Sequence, residues 1–277
     1  MSPSPSAAAE SLLAFWAEGG VDAMLLDEPI DRIAAGRIAP PKPAARTPAQ
    51  AAAAPAFARA AHSDVSGVVA QARELAAAAG DLDALAAAIA AFDGCPLKFE
   101  GAASQSVFYR GDLAAPVMVV GEGPGGDEDR LGQPFVGRAG QLLDKMLAAA
   151  GLIERVFITN TVFWRPPGNR TPTPAEQAVC APFVERAIDL VKPAMLLIVG
   201  GASAKAMLKR EEGILSLRGR WFEWRSADGA IELPALPTLH PAFLLRQPAA
   251  KKRAWADLVT LTERLDRPDR PAEKSPA

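Results

Sequence analysis

Glu122, Asn160 and His240 are three polar residues that each lie within two residues of the end of a short apolar run of the sequence. A carboxylate, an amide and an imidazole are groups that carry acid–base chemistry and hydrogen-bond recognition in enzyme sites. Each also has a structural alternative. Asn160 can turn the chain at a strand end, His240 can be a satisfied surface or core residue, and Glu122 can be a solvated loop residue. Glycines on both sides of Glu122 favour the functional interpretation, because they let the backbone approach a ligand closely.

Short apolar runs that alternate with helical segments begin at Pro116, and this pattern predicts parallel strands joined by crossover helices. The predicted strands are 117–120, 156–158, 195–199 and 236–239, and the predicted helices are 137–150, 174–190 and 202–209. Ligands of an open parallel sheet bind outside the carboxyl ends of its strands. We therefore expect the carboxylate, the amide and the imidazole to share one rim.

The segments that flank these strands predict the rest of the organisation. Asp64 and Asp81 are typical N-caps for helices over 65–79 and 82–89, and 218–225 with 230–233 predicts a hairpin inserted before the last strand. The predicted domains are an N-terminal helical appendage over 1–38, an Ala/Pro-rich linker over 39–60, a folded domain over 61–267 whose first part is helical, and a disordered tail over 268–277.

Composition narrows the class of protein. The chain has 277 residues, of which 49% are hydrophobic and 22% charged, which excludes disorder throughout. The start lacks the regions of a secretory signal, no apolar run is long enough to cross a bilayer, and two cysteines exclude a disulfide framework. We therefore expect a cytoplasmic protein. Residues 1–100 hold 7 basic against 12 acidic residues and the rest 23 against 20, so the C-terminal part is the better candidate for binding an anion.

Gly121, Gly123 and Gly126 match the glycine pattern of dinucleotide-binding loops, but their surroundings argue against that function. Pro124 interrupts the pattern, the acidic residues 127–129 would face the phosphates, and the next helix is predicted only near residue 137.

Four segments resemble, in order, the motifs of type 4 uracil-DNA glycosylases. They are GEGPG at 121–125 with Glu128, Asp129 and GQPFVGRAGQLL at 132–143; ITN at 158–160 with RPPGNR at 165–170; CAPF at 180–183; and HPAFLLR at 240–246. The resemblance covers about residues 92–262. It implies an α/β fold, a three-layer α/β/α sandwich with a short, mainly parallel central sheet. It also implies that the protein hydrolyses the bond between uracil and deoxyribose in single- or double-stranded DNA and so initiates base excision repair.

The same resemblance implies roles for individual residues. Phe135 would stack on the flipped uracil, Asn160 would bind its O4 and N3 edge, and the backbone near Glu122 and Gly123 would add contacts. His240 would donate a hydrogen bond to uracil O2, and the Glu122 carboxylate would stabilise the sugar cation or position the attacking water.

The resemblance also suggests which residues meet DNA. Leu244, Leu245 and Arg246 would enter the minor groove beside the flipped nucleotide. Arg165 and Arg170 are candidate phosphate contacts, as are Lys251, Lys252 and Arg253, for which a solvated surface is the alternative. Other uracil glycosylase families carry an aspartate one residue after Glu122, where this chain has Gly123.

Type 4 enzymes typically hold a [4Fe-4S] cluster on four cysteines, and here this chain departs from the family. Only Cys95 and Cys180 remain, whereas Lys98 and Trp164 stand at the other two positions. Two thiolates cannot ligate four irons. We therefore predict no cluster, with Lys98 and Trp164 replacing it through packing and a cation–π contact; a cluster shared between two chains, or completed by another ligand, is the alternative.

Two other functions are compatible with the same residues. One is a non-catalytic protein that binds DNA or uracil, and the other is a glycosylase that also accepts further deaminated bases. We expect a monomer associated with the nucleoid, whose N-terminal segment could recruit a repair or replication partner.

Overall fold

A six-stranded sheet lies at the centre of residues 65–267, the part of the chain that the structure, a computed structural model, describes. The predictions for 1–38, for 39–60, for Asp64 and for 268–277 lie outside the described residues.

The helices and strands follow one another in the alternating order expected of an α/β fold. In chain order they are α1 (Val65–Ala78), α2 (Leu82–Ala91), β1 (Tyr109–Gly111), β2 (Val117–Gly121), α3 (Gly126–Leu131), α4 (Arg138–Ala149), β3 (Val156–Asn160), α5 (Pro174–Val191), β4 (Met195–Val199), α6 (Gly201–Leu208), α7 (Ile214–Leu217), β5 (Phe222–Arg225), β6 (Glu232–Thr238), α8 (Pro241–Arg246) and α9 (Lys251–Asp266).

The strands are arranged in the order β1-β3-β2-β4-β6-β5. The four inner strands run parallel, and the edge strands β1 and β5 are antiparallel to their neighbours. Because β2, β3, β4 and β6 point the same way, their carboxyl ends meet at one edge of the sheet. The predicted fold, an α/β sandwich with a mainly parallel central sheet, is confirmed.

Each face of the sheet packs against helices, which gives the three layers. Met118 and Ile198 point into one apolar cluster with Phe183 of α5. Val119 and Leu197, each adjacent in its strand to one of these residues, point into a second cluster on the opposite face with residues of α4 and α9. Strands buried on both faces read as continuous apolar runs, which is why they were visible in the sequence.

Side chains cap two of the helix starts, and the cap at Asp81 was predicted. The Asp81 carboxylate accepts a hydrogen bond from the Ala84 amide at 2.8 Å. At the start of α5, Thr173 Oγ1 accepts from the Glu176 amide at 3.2 Å, and Glu176 Oε2 accepts from the Thr173 amide at 2.7 Å. This reciprocal pair is a capping box, and it satisfies two backbone donors at the helix end.

The structure corrects two predictions. The second arm of the hairpin and the last strand are one continuous strand, β6, which pairs with β5 on one side and β4 on the other. The helix that was expected only near residue 137 is preceded by α3, which begins at Gly126, the third glycine of the pattern. Six residues are too few to show helical periodicity. Acidic residues in its first turn still oppose a pyrophosphate there.

No helix within residues 65–267 combines the length and the apolar character that a bilayer crossing requires.

Candidate functional site

A cavity of about 530 Å³ opens at the carboxyl edge of the sheet. Its lining includes Glu122 and Gly123 after β2, Asn160 at the end of β3 and His240 after β6. Three polar groups that are far apart in the sequence therefore share one cavity, as their positions after parallel strands predicted.

The Asn160 side chain forms the polar floor of this cavity. Its exposed fraction is 1%, and neither Oδ1 nor Nδ2 has a hydrogen-bond partner among the described residues. Buried amides are almost always hydrogen-bonded, because an unsatisfied buried polar group is costly. A donor and an acceptor left together in a cavity indicate a ligand with a matching acceptor and donor.

The Phe135 ring forms the apolar wall. It is buried, and its centroid lies 5.8 Å from that of the His240 ring. The ring edge packs so closely on Gly121 that a Cβ there would lie 2.4 Å from ring atoms and 2.5 Å from Asn160 Oδ1. Only glycine at position 121 leaves both side chains in place.

His240 is neutral and carries its ring proton on Nε2. Burial, together with a smaller effect of the nearby Arg246 charge, lowers the pKa of this imidazole to about 4. Nδ1 accepts a hydrogen bond from the Ala242 amide at 3.2 Å at the start of α8. Since Nδ1 is the acceptor, the proton is on Nε2, which makes that nitrogen a hydrogen-bond donor.

Glu122 is half-buried and belongs to the loop that connects β2 to α3. Its backbone carbonyl accepts a hydrogen bond from Thr161 Oγ1 at 2.7 Å, which ties this loop to the residue after Asn160. The loop that carries Glu122 is thus bonded to the residue that directly follows Asn160 of β3.

Two charged residues that support the Phe135 loop were not identified from the sequence. Arg110 donates to the Pro134 carbonyl at 2.7 Å and to the Phe135 carbonyl at 3.1 Å. Glu128 accepts from the amides of Val136 and Gly137 at 3.0 and 2.9 Å. Glu128 was visible in the motif without a role, whereas Arg110 lies on a three-residue edge strand that no sequence pattern marks.

The candidate DNA-binding residues around the cavity differ in exposure. Leu245 and Arg246 of α8 are exposed, but Leu244 is fully buried against Leu239 and Ala254. The prediction that Leu244 enters the groove therefore needs correcting: its side chain anchors α8, and Leu245 is the leucine that is accessible.

The two arginines of the segment 165–170 also differ. Arg165 lies near Gly126, outside the residues that line the cavity, and donates to Asn169 Oδ1 at 2.8 Å. Arg170 is held by Glu176 at 2.7 and 2.9 Å and by Glu100 at 3.1 Å, and Glu176 raises the pKa of its guanidinium. Its charge is engaged in fixing this segment to α5.

Cys95 and Cys180 meet in the core, with their sulfur atoms 3.9 Å apart. Burial raises the pKa of the Cys180 thiol, which keeps it neutral. Residues 65–267 contain no group of three or more His, Cys, Asp or Glu side chains that could hold a metal ion.

The residues at the other two cluster positions serve other purposes. Lys98 Nζ donates to the carbonyls of Ala90 and Phe92 at 2.8 and 3.3 Å and to Asp93 at 2.6 Å, while Trp164 is buried edge-to-face on Phe163. The cation–π contact of Lys98 is with Phe99, at 5.7 Å, and not with Trp164. An ammonium and an indole are not iron ligands, so this donor set does not fit a [4Fe-4S] cluster.

Comparison with known proteins agrees with this geometry. Residues 108–259 match the model of the uracil DNA glycosylase superfamily. The chain is similar to the type-4 uracil-DNA glycosylase of Pyrobaculum aerophilum, with 40% identity over 173 residues that cover 60% of this chain and 86% of that protein. It is also similar to the type-4 uracil-DNA glycosylases of Thermotoga maritima (39% identity; 55% of this chain, 77% of that protein) and Sulfurisphaera tokodaii (37%; 56% and 73%).

Proposed function

Since this chain belongs to the uracil DNA glycosylase superfamily, and within it to the type-4 family, we propose that it removes uracil from DNA by hydrolysing the N-glycosidic bond, the first step of base excision repair. The observation that carries the proposal is the Asn160 amide, whose buried donor and acceptor are both unpartnered at the floor of the cavity.

Asn160 recognises uracil through two complementary hydrogen bonds. Nδ2 donates to O4 and Oδ1 accepts from N3–H. Cytosine carries an amino group at position 4 and no proton at N3, so the same amide would meet it donor to donor and acceptor to acceptor. An unpaired contact of this kind is strongly rejected in a buried site. Phe135 stacks on the base, and backbone groups near Gly123 contact its edge.

The chemical step separates positive charge on the sugar from negative charge on the base. The C1′–N1 bond breaks and its electron pair leaves with uracil, while a water oxygen bonds to C1′ and its proton is released. The Nε2–H of neutral His240 stabilises the anion at uracil O2, and the Glu122 carboxylate stabilises the sugar cation and positions the water.

The target nucleotide reaches the cavity when it is extruded from the base stack of the DNA. Leu245 fills the vacated space, and Arg246 and Arg165 contact the neighbouring phosphates. Lys251 and Lys252, exposed at the start of α9, extend this contact.

The protein performs this reaction without an iron–sulfur cluster. The support is the donor set: only Cys95 and Cys180 are present, and Lys98 is bonded to carbonyl oxygens. We expect elemental analysis of the purified protein to find no stoichiometric iron, and incubation with EDTA to leave excision and the melting temperature unchanged. Stoichiometric iron would contradict this, including iron found only in a dimer, which would indicate a cluster shared between chains.

The function is tested with duplex and single-stranded oligonucleotides that carry one uracil. We expect wild type to release uracil, and we expect His240→Ala and Asn160→Ala to be at least about 100-fold slower. A matched oligonucleotide with hypoxanthine tests for broader base choice, and one with cytosine is the negative control. Binding of uracil-DNA without any cleavage by wild type would leave the non-catalytic alternative, and undiminished cleavage by His240→Ala would refute the role of that imidazole.

A further inference from the structure

We propose that Arg110 and Glu128 are positioning residues that hold the Phe135 ring in place before a base arrives. The inference rests on the proposed function, because it assigns a role in uracil excision to two residues that lie outside the set expected to touch the base. Its basis is the way in which these two side chains bind the backbone on either side of Phe135.

The Phe135 backbone is in a conformation that needs external support. Its φ is +54°, in the left-handed region that L-residues with bulky side chains rarely adopt. Residues 132–137 lie between α3 and α4, so no helix or strand ladder holds them. A strained residue at a functional site persists only where its surroundings determine it.

Arg110 and Glu128 supply that support, because each charge binds backbone groups of the opposite polarity. The guanidinium of Arg110 binds the carbonyl oxygens of Pro134 and Phe135, and the carboxylate of Glu128 binds the next two amides. Four backbone polar groups of residues 134–137, two carbonyls and two amides, are thus bonded to charged side chains. Charge-assisted hydrogen bonds of this kind are stronger than those between neutral groups.

Both charged side chains are themselves anchored. Arg110 forms an ion pair with Asp144 of α4 at 2.6 Å. Glu128 also accepts from the Gly125 amide at 3.1 Å, which links the Phe135 loop to the loop that carries Glu122. The Phe135 backbone also packs directly on Gly140 of α4, where a Cβ would lie 1.7 Å from the Phe135 carbonyl oxygen. The ring is therefore set by a network that joins β1, α3 and α4.

If these residues act by positioning the Phe135 ring, their removal should lower the rate of excision more than the affinity for DNA. In single-turnover excision, we expect Arg110→Met and Glu128→Gln to lower the maximal rate at least about 10-fold, with a change of less than about threefold in the enzyme concentration for half-maximal rate. Arg110→Lys, which keeps the charge but not the forked geometry, should lie between wild type and Arg110→Met. Arg155→Met is the matched control, because Arg155 pairs with Asp266 at 3.0 Å on the surface, and its rate should equal that of wild type.

A double-mutant cycle separates positioning from general stability. If Arg110 acts through Phe135, adding Arg110→Met to Phe135→Ala should slow excision by no more than about threefold beyond Phe135→Ala alone. Multiplication of the two single losses in the double variant would overturn the inference, and so would wild-type rates in both Arg110→Met and Glu128→Gln.

Hydrogen exchange in the protein without DNA decides the point independently of activity. We expect the amides of Val136 and Gly137 to exchange at least about 10-fold faster in Arg110→Met and in Glu128→Gln than in wild type, and to be unchanged in Arg155→Met. Unchanged protection in the first two variants would overturn the inference. If wild type excises no uracil, the proposed function fails, and the exchange rates alone decide whether the loop is held as described.

Discussion

The imidazole of His240 illustrates how position controls protonation. A histidine with the ordinary pKa of 6.5 would gain a proton within the physiological range, but burial brings the pKa of this one to about 4. An imidazolium could not accept from the Ala242 amide through Nδ1 as the neutral ring does. The neutral tautomer with Nε2–H is therefore part of the folded structure.

We expect the excision rate to show no inflection near 6.5, the ordinary pKa, and to fall only as the pH approaches about 4. This direction follows from the lowered pKa, because the folded protein keeps the ring neutral at a pH at which the unfolded chain already binds a proton. For the same reason, the contribution of His240 to the free energy of unfolding should decrease as the pH falls from about 6.5 to about 4. NMR titration of the ring, assigned with His240→Gln, measures the pKa on which both expectations depend, and a pH–rate profile and urea denaturation at several pH values measure the two effects. A ring that titrates between pH 6 and 7 would contradict the neutral site.

The close packing around Gly121 leads to a prediction about the floor of the cavity. A Cβ at this position would displace the Phe135 ring or the Asn160 amide, since it would lie within 2.5 Å of both. We expect Gly121→Ala to lower excision at least about 100-fold while the protein still folds. Gly213→Ala is the control, because no atom lies within 4 Å of the added Cβ there. Equal activity of the two variants would show that the packing at Gly121 does not matter.

At the scale of elements, strands buried on both faces could be predicted from the sequence, and weakly patterned segments could not. The inner strand β2 is a run of apolar residues, so its end and Glu122 could be placed together with Asn160 and His240. Strand β1 has three residues, and its alternation is too short to recognise, so Arg110 was missed. The six-residue helix α3 was missed for the same reason, and with it the contacts of Glu128. Both are set by tertiary hydrogen bonds rather than by local periodicity.

Helix α9 and strand β6 are joined by one buried carboxylate. Asp257 is 1% exposed and accepts from Thr238 Oγ1 at 2.7 Å and from Arg218 Nε at 3.0 Å. Thr238 is two residues before His240. Its hydrogen bond to Asp257 therefore also fixes the end of the strand that precedes the imidazole.

Asp257→Asn should therefore lower the free energy of unfolding by about 3 kcal/mol, because it leaves the Arg218 charge without its buried partner. Urea denaturation at neutral pH measures this change. Asp266→Asn in the same helix is the matched control, since Asp266 pairs with Arg155 at the surface, and its effect should be below about 0.5 kcal/mol. A similar small effect of both substitutions would mean that the buried pair does not stabilise the junction.

Over the whole molecule, the net charge is negative, and a polyanion such as DNA would be repelled by it. The net charge is −2, so attraction to DNA has to come from the local arrangement of basic residues. Helix α9 begins with Lys251, Lys252 and Arg253, and its first turn holds no acidic residue. Cations at the N-terminus of a helix oppose its dipole, so this order does not favour the stability of the helix. An anion bound beside them would remove that disadvantage.

This local positive charge should be visible in the salt dependence of DNA binding. Each phosphate contact contributes about 0.9 to the slope of log K against log salt concentration for duplex DNA, so Lys251→Ala combined with Lys252→Ala should make that slope shallower by about 1.8. The control is Lys145→Ala on α4, which removes a lysine that lies outside the cavity lining and should leave the slope unchanged. Fluorescence anisotropy with a duplex of undamaged sequence isolates this electrostatic term from uracil recognition, because no base enters the cavity. If the double variant has the wild-type slope, these lysines are solvated surface charges, and the phosphate contacts must come from other basic residues such as Arg165, Arg246 and Arg253.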